Sequence, residues 1–299
     1  MGGTPFGASV TMRWEGRRQS ENLEDRRSVG QQAVVGGGLL TLLIMIVMMF
    51  LGVDPMQLMR IAPELAGGQT PQAAPGKPVN DEIKKFISTV LADNEDVWAR
   101  VFPKAFGKRF VPTRLVMFTG RVQSGCGIAD AGAGPFYCPL DKTVYIDPVF
   151  YEELKRRFGA PGDFAQAYVI AHEIGHHVQN QLGISDRVQS MQRRLSKADY
   201  NKMSVRMELQ ADYLAGVWAR HMAQYAGILD EEDIREAVNA AAAIGDDRIQ
   251  KQAQGYVVPE GFTHGTSEQR VRWFLYGLKT ETPEQVVERM NEAFERDTP

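Results

Sequence analysis

Residues 171–177 read Ala-His-Glu-Ile-Gly-His-His, inside a run from Asp163 to Leu182 whose pattern predicts a helix. Helical positions four apart differ by about 40° in direction, so His172 and His176 project from one face at a separation that a single divalent ion can bridge. Glu173 lies about 100° round from His172, where a carboxylate can act as a base beside the ion without ligating it. Gly175 leaves room beside the imidazoles for another chain element. His177 points about 100° away from His176 and reads as a structural contact.

Two imidazoles do not complete a site, and the sequence restricts what can. A third histidine supplied by an extension of the same motif would need Gly at 179 and His at 182, but the chain has Gln179 and Leu182. Between His177 and Asp230 the only glutamate is Glu208, in Arg-Met-Glu-Leu-Gln-Ala-Asp-Tyr-Leu-Ala-Gly (206–216). Glu208 is therefore the candidate third ligand. Asp212 follows one turn later on the same face, placed to orient a ligand imidazole through its other nitrogen. The competing reading, a solvated acidic face, fits poorly with Leu209, Ala211, Leu214 and Ala215 around it, since an unpaired acid on a packed helix is costly. His221 is about half a turn out of phase with Glu208 and reads as structural. His264, in Phe-Thr-His-Gly-Thr-Ser (262–267), is either a donor to a developing oxyanion or an ordinary loop or cap histidine.

Working outward, the 299 residues carry 34 Lys and Arg against 37 Asp and Glu, a net charge of -3, which offers no global positive field to nucleic acid. Two cysteines are too few for a zinc ribbon or a disulfide-built scaffold. The average composition is that of a soluble globular chain, but it hides a partition. Residues 33–53 (AVVGGGLLTLLIMIVMMFLGV) hold 21 residues without charge or proline, enough as a helix to cross a hydrocarbon layer of roughly 30 Å. Arg13, Arg17, Arg18, Arg26 and Arg27 precede the run, and Arg60 is the one basic residue between it and Lys77. The positive-inside rule then predicts a single pass with 1–32 cytoplasmic and everything after the run outside.

Residues 54–79 read as a Pro- and Gly-rich linker, and 80–299 as one folded domain. Within it, a helix from Asp81 precedes strands at 109–118 and 143–146, separated by a Gly-rich loop with both cysteines. Helices follow over 163–182, 185–195, 197–225, 230–254, 267–278 and 283–295. This is an α+β pattern, a small sheet on a helix-rich body. The strand at 143–146 is expected to offer its edge to an extended substrate. If the domain faces an oxidising compartment, Cys126 and Cys138 can close a disulfide, with free thiols as the other reading.

Met-Arg-Trp-Glu-Gly-Arg-Arg (12–18), Ser-Gly-Cys-Gly (124–127), His-Glu-Ile-Gly-His-His (172–177), Glu-Leu-Gln-Ala-Asp-Tyr-Leu-Ala-Gly (208–216) and His-Gly-Thr-Ser-Glu-Gln-Arg (264–270) together resemble the neutral zinc metallopeptidases, a family of membrane-anchored bacterial proteins. The resemblance covers nearly the whole chain, and the Glu208–Asp212 spacing is also similar to that of the gluzincins. It implies a zincin-like domain in which His172, His176 and Glu208 hold Zn²⁺, Asp212 stands behind a ligand, Glu173 acts as base and His264 stabilises the transition state. It further implies a protein or peptide substrate and a place at the bacterial inner membrane, with the catalytic domain periplasmic or extracellular. It implies no particular oligomeric state. The rival readings are a catalytically silent adaptor that keeps the zincin fold at the membrane, and a purely structural zinc ion.

Overall fold

The run from Asp163 forms a helix buried nearly all round, because Ala165, Ala167, Val169, Ile170, Ala171, Ile174 and Val178 leave it no polar face wide enough to meet water. The structure, a computed structural model, describes residues 12–27, 81–130, 132, 134–227 and 229–295. The helices are α1 (Asp81–Phe106), α2 (Val149–Arg156), α3 (Asp163–Gln181), α4 (Ile184–Met191), α5 (Lys197–His221), α6 (Glu231–Ala243), α7 (Asp246–Gln254), α8 (Ser267–Leu278) and α9 (Pro283–Glu295). The strands are β1 (Leu23–Asp25), β2 (Arg114–Met117), β3 (Arg121–Ser124), β4 (Gly127–Asp130), β5 (Phe136–Cys138) and β6 (Thr143–Ile146). The chain is thus α+β and helix-rich, with small sheets.

Helix α3 is the hub, packed against α1, α5 and α6. Glycines set how closely its neighbours approach. A Cβ on Gly216 of α5 would lie 2.0 Å from the carbonyl oxygen of Phe274, and one on Gly277 of α8 would lie 2.0 Å from that of Tyr213. The two backbones therefore touch where these glycines meet. A Cβ on Gly175 would come within 3.1 Å of the Ala211 carbonyl oxygen, so α3 and α5 are also close there. These two approaches bring residues 208–212 against His172. Ser196 caps α5 by accepting from the Asp199 N–H, and a reciprocal Thr266–Gln269 box starts α8.

The main sheet has the order β1-β2-β6-β5, with β1, β2 and β6 parallel and β5 antiparallel to β6. All of β6 and three residues of β2 are buried, as apolar strands of a covered parallel sheet should be. Strands β3 and β4 form a separate hairpin. Cys126, in its turn, is disulfide-bonded to Cys138 at the end of β5, with Cα atoms 5.8 Å apart.

Three expectations need correcting. Strand β6, at 143–146, is flanked by β2 and β5 and has no free edge; the outer strand beside α3 is β5. The helix expected over 230–254 breaks between α6 and α7, because a Cβ at Gly245 would lie 2.3 Å from the Ser267 nitrogen; the apolar period runs through a point where tertiary contact ends the helix. The expected boundary at residue 80 leaves out a segment that the fold includes. Strand β1 pairs with β2 in the register Leu23↔Leu115 to Asp25↔Met117, Met12 is buried in the core, and Arg17 pairs with the buried Asp93 at 2.7 Å. A strand of three residues, Leu-Glu-Asp, carries no periodic signal of its own. The expected membrane helix at 33–53 and linker at 54–79 lie outside the described residues; among the described residues no helix is long and apolar enough to cross a membrane.

Gly216→Ala should lower unfolding free energy by about 3 kcal/mol, since the added carbon meets backbone that a rotamer change cannot clear. A shift of the urea midpoint with unchanged slope checks it. Replacing both cysteines by serine should cost about 3 kcal/mol, the entropy of a loop this size, in the same assay.

Candidate metal centre

Helix α3 presents His172 and His176 from one face, and α5 presents Glu208 opposite them. His172 Nε2 stands 3.2 Å from Glu208 Oε2, and His176 Nε2 stands 3.4 Å from Glu208 Oε1. One ligand atom from each residue lies within 4.8 Å of the others. Ligands about 2.05 Å from a tetrahedral ion are about 3.3 Å apart, and each imidazole lies at about that separation from one of the two Glu208 oxygens.

The ring tautomers fit a metal as well. Gln210 Nε2 donates to the Met290 carbonyl at 2.9 Å, which leaves its Oε1 to accept from Gln179 Nε2 at 2.9 Å. Gln179 Nε2 also donates to the Met207 carbonyl, so Gln179 Oε1 faces His176 Nδ1 at 2.8 Å as an acceptor. His172 Nδ1 faces an acceptor too, Asp212 Oδ1 at 2.8 Å. Both Nδ1 atoms therefore carry hydrogen, and both Nε2 atoms face the Glu208 carboxylate. A proton or a metal cation can stand between each ring and the carboxylate, and two imidazoles with one carboxylate form a zinc donor set with a coordination position to spare.

Asp212 is wholly buried and accepts from Tyr168 Oη at 2.5 Å, from Arg270 Nε at 2.9 Å and Nη2 at 3.0 Å, and from His172. Burial would raise its carboxyl, but the Arg270 guanidinium and His172 hold it below the usual range. Burial opposes a proton on His172, but the Asp212 carboxylate and the hydrogen bond to Glu208 outweigh it, lifting the imidazole to about 10. Burial pushes the Glu173 carboxyl up from its ordinary value, offset in part by His176 and His172.

Glu173 lines a cavity of about 490 Å³ together with His172, His176, Glu208 and His264, and Phe136 and Tyr137 of β5 form part of its wall. His264 comes from the loop before α8. The Asp246 carboxylate at the start of α7 accepts the backbone N–H groups of Thr263, His264 and Gly265 at 2.7, 2.6 and 3.1 Å, and its other oxygen meets His264 Nδ1 at 3.1 Å. With Nδ1 so committed, Nε2 is the ring nitrogen left for the cavity. His177 joins neither group. Its Nδ1 accepts from Tyr137 Oη at 2.9 Å, its Nε2 donates to the Val111 carbonyl at 2.8 Å, and burial lowers its pKa to about 4, so a neutral ring fastens α3 to β5. His221 stacks on Tyr225, away from the centre.

Four residues of this arrangement escaped the sequence reading. Tyr168 stands one turn before His172 and Gln179 three residues after His176, so helical spacing alone could have found both. Arg270 ends the 264–270 motif but gives no sign in sequence that it is buried. Asp246 was hidden inside a helix that the fold divides.

Two imidazoles and a carboxylate converging from two helices, with a buried glutamate at their side, define a candidate metal-binding protein. The chain belongs to the family described as "putative neutral zinc metallopeptidase", which it matches over residues 12–288. That membership implies Zn²⁺ as cofactor, a peptidase in general and a protein or peptide as substrate, and His172, His176 and Glu208 are a cluster that could bind the ion. The chain is 48% identical over 284 residues to the uncharacterized protein YpfJ of Escherichia coli strain K12, covering 92% of this chain and 97% of the relative. It is 38% identical over 251 residues to the uncharacterized protein Rv2575 of Mycobacterium tuberculosis strain H37Rv, covering 79% and 82%. No solved structure matches it.

Substitutions behind the ligands should weaken zinc without removing a donor. Gln179→Leu is expected to lower zinc affinity about 10-fold, and Asp212→Asn about 100-fold, measured by competition with a chromophoric chelator.

Proposed function

We propose that this protein is a zinc-dependent endopeptidase of gluzincin type, with a zincin-like catalytic domain that hydrolyses peptide bonds in extended segments of protein. The convergence of His172 Nε2, His176 Nε2 and the Glu208 carboxylate beside the buried Glu173 carries this reading. His172, His176 and Glu208 would hold the ion, which when bound supplies Lewis acidity and brings the pKa of water to about 7.

Glu173 takes the proton from the attacking water and returns it to the departing amine. Its burial favours this role, because a carboxyl raised from its ordinary value is a better proton acceptor near neutrality. His264, held through Nδ1 by Asp246, turns Nε2 toward the oxygen on which charge develops as the carbonyl becomes tetrahedral. Asp212, fixed by Arg270 and Tyr168, keeps His172 in the tautomer that leaves Nε2 free.

An extended peptide adds to the outer strand β5, whose Phe136 and Tyr137 border the cavity. Main-chain hydrogen bonds there give affinity with little demand on side chains. The Cys126–Cys138 bond braces that strand, and a bond of this kind supports a domain that faces an oxidising compartment.

Glu173→Gln should retain stoichiometric zinc and lose at least 10³-fold in casein cleavage, on the scale of general-base catalysis. Retained cleavage would remove Glu173 from its role. A chelator should abolish hydrolysis and zinc restore it. Stoichiometric zinc in the unmodified protein with no chelator-sensitive hydrolysis would favour the silent-adaptor reading.

A further inference from the structure

The cavity beside the candidate ligands has an apolar wall that the chemistry at Glu173 does not use. Phe150, Phe158, Val169, Ile244 and Ile249 line the same space of about 490 Å³ as His172, Glu173 and His176. Val169 stands three residues before His172 and four before Glu173 on α3, so it lies on their face one turn, about 5 Å, toward the start of the helix. Phe158 and Val169 are buried, whereas Phe150, Ile244 and Ile249 keep part of their surface open. Among the described residues none covers that surface, and an apolar side chain laid on it would leave water together with it.

Hydrogen bonds tie the wall to the centre. Arg248 Nη2 donates to the Phe158 carbonyl at 3.2 Å, which joins the chain after α2 to α7, the helix that carries Ile249. Arg270 Nη1 donates to the Ile244 carbonyl at 3.3 Å, while its Nε and Nη2 hold Asp212 behind His172. Phe150 faces the approach to β5, since a Cβ on Gly134 would lie 3.7 Å from its ring. A peptide laid along β5 with one bond at the ligands therefore has Phe150 beside it, and the wall lies within reach of the side chain next to that bond.

Charge does not compete for this space. Glu153 and Arg157 follow Phe150 at the third and seventh positions along α2 and its end, so one face brings both an acid and a base to the cavity. Their fields oppose each other, and the Arg270 charge is taken up by Asp212. A charged side chain entering here would lose its water without gaining a committed partner.

We infer that the cavity selects its substrate by a large apolar side chain on the residue next to the scissile bond, with Phe150 and Ile249 as the residues that set the preference. This rests on the peptidase reading and adds a substrate class to it. Main-chain pairing on β5 is indifferent to side chains, so the wall makes the choice that the strand cannot. Discrimination of phenylalanine or leucine from alanine should reach at least about 10-fold, the scale of hydrophobic pockets.

Zinc-loaded Glu173→Gln protein, titrated with dye-labelled peptides built of alanine and serine around one varied central residue, tests the selection without turnover. The phenylalanine and leucine peptides should bind at least about 10-fold more tightly than the alanine, lysine and glutamate peptides, and the unsubstituted protein should cleave them beside that residue. Ile249→Asp, added at unchanged zinc content, should reverse the order, so that the lysine peptide gains and the phenylalanine peptide loses. Phe150→Ala should narrow the gap between the phenylalanine and alanine peptides. Equal binding of the phenylalanine, alanine and lysine peptides, or an order that neither substitution alters, would overturn the inference. A preference that persists with no cleavage by the unsubstituted protein would retire the peptidase reading and leave the selection of apolar side chains standing.

Discussion

One buried carboxylate holds the centre together. Asp212 sits on α5 with no exposed surface and accepts from Tyr168 and His172 on α3 and from Arg270 on α8. A lone charge there would cost several kcal/mol, and only the simultaneous approach of three helices satisfies it. That approach depends on positions without side chains, Gly175 against Ala211 and Gly216 against Gly277. Tertiary packing and metal affinity therefore share a determinant: the contact that neutralises Asp212 is also the one that fixes the His172 ring. Arg270, which also lines the cavity, holds the His172 side of the site through Asp212 for this reason.

The cluster of candidate ligands was legible because it rests on local geometry. The four-residue spacing of His172 and His176 decides their common face whatever surrounds them, and Glu208 and Asp212 obey the same rule one helix later. The scarcity of glutamate between His177 and Asp230 did the rest. What escaped is what depends on contacts distant in sequence. Arg270 reads as an ordinary surface arginine until α8 is laid across α5. Asp246 lies in a stretch whose helical period is unbroken, and only the backbone of Ser267 against Gly245 turns it into the start of a new helix and the anchor of His264. The outer position of β5 and the inner position of β6 follow from sheet order, which no strand's own composition reveals.

The N-terminal arginines carry a second meaning. Counted as charges beside an apolar run, they signal orientation; placed in the fold, Arg17, Arg18 and Arg27 are partners of specific carboxylates. A statistical rule for loops applies to residues that have no other work, and here the fold had recruited them. The family match begins at residue 12, so this segment also belongs to the shared unit.

The position of β1 in the sheet governs the order of events during synthesis. Leu23 and its partner Leu115 are about ninety residues apart, so β1 leaves the ribosome with nothing to pair with. The apolar run follows it out well before β2 exists. Sheet closure is therefore a late step of synthesis, completed only after the roughly ninety residues between Leu23 and Leu115 have been made.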